Sequence, residues 1–369
     1  MRFGVGMIAF FFMTLGFAQF GPPNGIPSNG KDLDRRPEFY TLNWDYGLRL
    51  KAASTDLAIE VDSMGLQEVN VLLNTANRPV LYTSDISTPV CADGECQLMH
   101  IRLYWTLLGA YAGFDRYPGL PLTKHDHDEF LPNDYLKLHQ LLRDDNSILK
   151  RKKIDELVDR PKQPETEGVD AVAGATIKEV KQSVVAGALY SCYTAWHLVH
   201  GGIKKAIQER TRSSFDHNLL LTMLASENAD YQMFALKRLE ENQYEEHYIR
   251  IAEIFKTSIP LVRTFIVKNL PGHFWNSEEL QMPFWLSFSE VDINSRSLLL
   301  DHLHEAPESI IEGLSMQLKN MTKNQIKLFL AHLEGFKSLN SSIQTNLEEF
   351  SNSDTEANAY LVKMYMDNF

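Results

Sequence analysis

The chain has 369 residues, 44% of them hydrophobic, and a formal net charge of −12 at pH 7. That length sets a soft expectation of about two domains with ample apolar material for packed cores. So acidic a balance argues against nucleic-acid binding, whose footprint is a basic surface.

Residues 1–18 read as a signal peptide. Arg2 is the charged start, Val5 to Phe17 the apolar centre, and Gly16-Phe17-Ala18 a small-x-small cleavage site. The apolar run falls short of the roughly 20 residues of a membrane span. No second span follows, so an exported, periplasmic or extracellular, non-membrane-spanning protein is expected. Residues 19–45 open with Gly, Pro, Asn and Asp and read as a flexible leader.

Short β-forming runs follow at Leu57–Val61, Val69–Leu73 and Val80–Tyr82, separated by Asn and Pro, with a further strand at Met99–Trp105. Between them, Cys91 and Cys96 bracket a turn-like Ala-Asp-Gly-Glu. In an oxidising compartment this spacing predicts a small-loop disulfide. Cys192 is left over and reads as a buried, inert thiol. His125-Asp126-His127-Asp128 is the densest group of metal-capable side chains. A metal site normally needs further ligands, and none is close in sequence, so a polar turn is expected there. Helices are expected at about 132–143 and 152–158, then a polar breaker at 160–168.

Residues 170–176 read Asp-Ala-Val-Ala-Gly-Ala-Thr. They precede a pattern with Val180, Val184, Ala188, Cys192, Ala195 and Val199 on one face, which predicts a helix from about Ile177 to Glu209, ended or kinked at Gly201-Gly202. A helix start offers unpaired N–H groups and the positive dipole end, a natural seat for phosphate. Gly174 permits close approach to the backbone, and Thr176 supplies a hydroxyl. On residues alone, an N-cap threonine after a glycine turn, with no ligand, is the commoner reading.

The run resembles the flavinylation motif of the FMN-binding domain family of covalently flavinylated extracytoplasmic electron carriers. Asp170, Gly174, Ala175 and Thr176 match it. Ala173 and Ile177 depart from it, where the family usually has Ser or Thr. The resemblance implies FMN held covalently by a phosphoester to Thr176, attached by an FMN transferase, in a protein that exchanges electrons with a redox partner protein. It implies close approach at Gly174 and Ala175 and an orienting role for Asp170. Upstream, Tyr104 and Trp105 lie in a segment similar to exported members of the family and are candidates to stack on the flavin ring, although buried aromatic core is the commoner fate of such residues. The resemblance extends over residues 46–205 at most, where strands followed by helices predict an FMN-binding-type α+β domain.

Residues 206–369 carry a different signal. Phe234-Ala-Leu-Lys-Arg-Leu239 aligns with Phe265–Leu270, Leu298–Leu303, Leu328–Leu333 and Tyr360–Tyr365. A period of about 30–33 residues with turn signals between helical patterns predicts an all-α solenoid of about five helix pairs, similar to HEAT-like repeats. Such arrays present extended surfaces to protein partners. Neither Gly-x-Ser-x-Gly, a Walker loop nor Gly-x-Gly-x-x-Gly occurs, so hydrolase and nucleotidase machinery is not visible. Two readings remain open: an exported electron-transfer flavoprotein, or a non-enzymatic exported interaction protein that works through its repeats and keeps a flavin-free, degenerate first domain.

Overall fold

The computed structural model describes residues 32–61, 65–90, 98–124, 127–151, 153–159, 175–176 and 178–368. The expected signal peptide, the leader up to Lys31, Cys91, Cys96, His125, Asp126, Asp170 and Gly174 lie outside the described residues. Two compact units divide the chain between Ser214 and Phe215.

The first unit is built on a six-stranded antiparallel sheet. Its strands are β1 (Phe39–Tyr40), β2 (Lys51–Val61), β3 (Gly65–Leu73), β4 (Pro79–Pro89), β5 (Leu98–Thr106) and β6 (Tyr111–Arg116), in the spatial order β1-β6-β5-β4-β3-β2. The meander follows from turn chemistry. Between β3 and β4, Asn74 Oδ1 accepts from the backbone N–H of Ala76 and of Arg78 at 3.0 Å each, and Asn77 takes φ +55°. Asparagine suits both tasks. Gly113 lets β1 close against β6, because a Cβ there would overlap the Phe39 carbonyl.

One face of the sheet is covered by residues 32–50. Leu33 and Leu50 exchange backbone hydrogen bonds of 2.8 and 2.7 Å. With Tyr40, Leu72, Leu81, Tyr104 and Ala112 they form a buried cluster. The leader expected to run through residue 45 is therefore a folded part of this unit from Asp32 onward. Gly and Pro upstream masked the apolar Leu33, Tyr40 and Leu42 that hold it down.

Helices cover the other face. α1 (Pro132–Arg143) packs on β6; α2 (Lys178–Ser183), α3 (Leu189–His200) and α4 (Gly202–Ser213) follow, with α3 against β5 and α4 against β2. The single helix expected over 177–209 is thus three. Gly187 takes φ +74°, and Gly201 leaves helical geometry at φ −92°, ψ −131°. The apolar face nevertheless survives: Val180, Val184, Ala188, Cys192, Ala195 and Val199 are all buried, since the pieces share one core. The helix expected over 152–158 is a 3-10 turn at Ile154–Glu156, followed by β7 (Val158–Asp159), which pairs with β8 (Ala175–Thr176).

The second unit is all-helical: α5 (His217–Ala225), α6 (Ala229–Leu236), α7 (Glu241–Glu246), α8 (Tyr248–Thr257), α9 (Pro260–Asn269), α10 (His273–Asn276), α11 (Glu278–Leu286), α12 (Ile293–Leu300), α13 (Glu308–Ser315), α14 (Lys323–Leu333), α15 (Ser341–Ser351) and α16 (Ala359–Met366). Helices α6, α9, α12, α14 and α16 pack in succession. On the other side α5 packs on α8, α8 on α11, and α13 on α15, with Ser309 Oγ of α13 donating to Glu278 Oε1 of α11 at 2.8 Å. Polar side chains join successive pairs at nearly constant sequence separation. Tyr248 donates to Glu279, Asn340 to Glu308, Asn346 to Ser315, and Arg263 pairs with Asp292. These separations of 29 to 32 residues match the period of the sequence repeat. Asn228, Asp292, Thr322 and Asn340 cap helix starts by accepting backbone N–H bonds, which accounts for the regular turn signals.

Candidate functional site

The site begins at the short ladder of β7 and β8, where Thr176 stands opposite Val158 and Ala175 opposite Asp159. Thr176 ends the strand, and α2 begins at Lys178. The junction is held from below by Val180, Val184 and Val185, all buried, and by the Val185 N–H donating to Cys192 Sγ at 3.4 Å. Burial pushes the Cys192 thiol up to about 12, so it is an inert packing group as expected. Ala173 and Ile177, the two departures from the flavinylation pattern, lie outside the described residues.

A second segment singled out in the sequence comes to the same helices. Thr123 and Glu129 form an antiparallel bridge, the Lys124 N–H donates to Asp128 O at 2.8 Å, and His127 turns the chain at φ +61°. His127 and Asp128 thus sit in a tight hairpin. Its base meets the turn between α2 and α3: Ser191 Oγ donates to Thr123 O at 3.2 Å, and the Lys124 stem lies beside Gly187. Lys124 Nζ is paired with Asp134 at 2.8 Å. Among the described residues no group of three or more His, Cys, Asp or Glu is arranged to hold a metal ion.

Tyr104 and Trp105 take another course. Adjacent on β5, they point to opposite faces of the sheet. Both are 0% exposed. The Tyr104 hydroxyl donates to Asp115 Oδ2 at 2.9 Å, and the Trp105 indole donates to Val199 O at 2.9 Å. Each has its polar handle satisfied inside the protein and no ring face open to a ligand. Their place is the core, where bulky aromatics with an internal hydrogen-bond partner contribute most to packing.

The sequence reading missed a polar network on the face of β5 that carries Tyr104. Asp115 is 0% exposed. It accepts from the Glu38 N–H at 2.6 Å and from Tyr104, with Arg35 at 3.5 Å. Burial raises its pKa despite these donors. Beside it, buried Arg102 forks onto Asp85 through Nε and Nη2. On the helix face, Arg116 pairs with Glu38 and stacks over Tyr135 at 4.5 Å. The alternation Arg102-x-Tyr104 and Asp115 one strand away was the available signal, but only strand register brings them together.

His197 and His200 act structurally. Their Nε2 atoms stand 3.1 Å from Leu149 O and 3.0 Å from Leu142 O, and Trp196 donates to Asp144 O at 2.8 Å. Together they clamp the segment after α1 onto α3. Burial pulls His200 down to about 4. His139, whose Nδ1 lies 2.8 Å from the Tyr111 hydroxyl, is also lowered to about 4, by burial and then by Arg143 and Arg36.

No family model, curated protein or solved structure matches the chain. Among the described residues no helix is long and apolar enough to cross a membrane.

Proposed function

We propose that the chain is an exported electron-transfer flavoprotein that carries FMN covalently on Thr176. The observation that carries the reading is the run Asp170 to Thr176, which keeps the Asp, Gly, Ala and Thr of the flavinylation motif. Thr176 has the hydroxyl a phosphoester requires, and a short helix, α2, starts two residues later. Gly174 and Ala175 would give an approaching transferase little side chain to displace, and the resemblance implies an orienting role for Asp170. Bound FMN would supply one- and two-electron chemistry; the protein supplies attachment, orientation and exclusion of water. Tyr104 and Trp105 do not fit as ring contacts, because both are sealed in the core. The base of the segment at Thr123 and Lys124 meets α3 and the turn at Gly187, in the helices that follow Thr176.

The test is covalent modification. After co-expression with an FMN transferase, the denatured protein should be yellow and heavier by one FMN residue, and Thr176→Ala should abolish both. Flavin persisting on the denatured variant would overturn the assignment to Thr176.

A second reading gives the repeat unit the working role and leaves the first unit without flavin. It draws on the ladder of polar links joining successive helix pairs of an array similar to HEAT-like repeats. An unmodified chain, with the transferase shown active on a control substrate, would favour it.

A further inference from the structure

A cavity of about 450 Å³ opens in the first unit, where the segment before β1 meets the start of β2 and the β3–β4 turn. Its volume is in the range of small-molecule sites. Leu33 and Leu50 pair there as an isolated antiparallel bridge, and both are buried. Their neighbours Asp32, Asp34, Arg49 and Lys51 are exposed, as strand alternation requires, and all four line the cavity. The bridge sets Asp32 opposite Lys51 and Asp34 opposite Arg49.

Opposite charges in such cross-strand positions ordinarily close on each other. Among the described residues, none of these four is in an ion pair. Asp32 Oδ1 accepts the Ala52 N–H at 2.7 Å, which fixes that carboxylate beside β2 and leaves Oδ2 open. The charged ends of Asp34, Arg49 and Lys51 have no partner among the described residues. The β3–β4 turn adds the side chains of Thr75 and Asn77 to the lining, and these too lack a hydrogen-bond partner among the described residues. The charges are also sorted by strand: both acids lie on the segment before β1 and both bases on the run into β2. The field therefore has one direction across the cavity, from the bases to the acids.

The local charges identify the ligand class. The lining is formally neutral, so a simple anion and a simple cation each meet as much repulsion as attraction, whereas a molecule with both charges satisfies both sides. We infer that this cavity binds a small zwitterion of the free amino acid or short peptide type. Its carboxylate lies on Arg49 and Lys51, and its ammonium on Asp34 and the open oxygen of Asp32. Charge-assisted hydrogen bonds of this kind are the strong ones, and they supply most of the affinity. Thr75 and Asn77 stand ready for the polar groups of its side chain. The inference stands on this cavity alone and does not require flavin at Thr176.

The test is isothermal titration calorimetry on the full chain. The probes are glycine, L-serine, L-glutamine and glycylglycine. Sodium acetate, methylammonium chloride and N-acetylglycinamide are the controls, each lacking one charge or both. The variants Asp34→Ala and Arg49→Ala alter exposed side chains, and their circular dichroism and melting should match the parent. At least one zwitterion should bind one-to-one, bind more weakly as salt rises, and lose at least about tenfold in affinity on each variant. Each control should bind at least about tenfold more weakly than that zwitterion. No saturable binding by any of the four zwitterions, or unchanged affinity on either variant, would overturn the site. Acetate or methylammonium binding as tightly as the best zwitterion would overturn the ligand class, since one charge would then suffice.

Discussion

The two units solve the problem of burying a core in opposite ways. The sheet unit is closed by contacts between residues far apart in sequence: Trp105 reaches Val199, and Gln208 reaches Leu108. The repeat unit is closed by neighbours, each helix pair held to the next across about one repeat length. Damage to the first should spread through its whole core, while damage to the second should stay near its origin, as expected for a one-dimensional stack.

The sharpest way to break that comparison is Trp105→Ala. It removes a ring that is 0% exposed and leaves the Val199 carbonyl without its donor. The expected cost is about 3–5 kcal/mol in the sheet unit. In urea denaturation of the full chain, amides of β3 to β6 should lose exchange protection together while those of α8 to α16 keep theirs. Joint loss in both units would erase the distinction.

A smaller effect is expected from Gln325→Ala, which cuts bonds from α14 to Ile293 O and Ser297 Oγ of α12. The loss should be about 1–2 kcal/mol. Hydrogen exchange should quicken in α12 and α14 and stay unchanged in α5 and α6.

Acid bears on both units, because burial lowers His332 of the repeat unit as it lowers histidines of the sheet unit. His139 and His200 both titrate near 4 in the folded sheet unit, below the ordinary histidine value near 6.5. The unfolded chain therefore binds more protons between these values, so stability falls as pH drops from about 6.5 to about 4 and is flat above that window. Denaturation midpoints measured across it should shift for the parent, with a shallower slope for His139→Gln. An unchanged slope would show that this histidine does not drive the acid loss. The smallest expected effect is that of Thr176→Ala on folding, within about 0.5 kcal/mol by urea denaturation, because the substitution deletes only a hydroxyl and a methyl.

The contrast also explains what could be read in advance. The repeat is legible because local period and packing coincide: Ile266, Leu299 and Phe329, each second in its repeat motif, are buried where successive helices stack. Strands β3 to β5 and helix α1 follow from alternation and from turn residues such as Asn74. The break of the 177–209 helix is harder to read. Val180 to Val199 keep one apolar face across Gly187, and the backbone leaves helical geometry between α2 and α3 at Gly187 and Ala188. The burial of Tyr104 and Asp115 depends on register between β5 and β6, and on Leu33 and Tyr40 folding back over the sheet. No local pattern encodes either. Of the proposed attachment motif, Asp170, Gly174 and Thr176 are legible as chemistry, whereas the approach of Thr123 and Lys124 to α3 and the turn at Gly187 is visible only in three dimensions.

The most direct measurement is the intact mass and visible absorbance of the denatured full chain after export in the presence of an FMN transferase, beside Thr176→Ala. The account predicts a yellow chain heavier by one FMN residue, with the adduct on the peptide containing Thr176, and a colourless variant at its unmodified mass. A colourless parent at its unmodified mass, while the same transferase modifies a control protein, would contradict it.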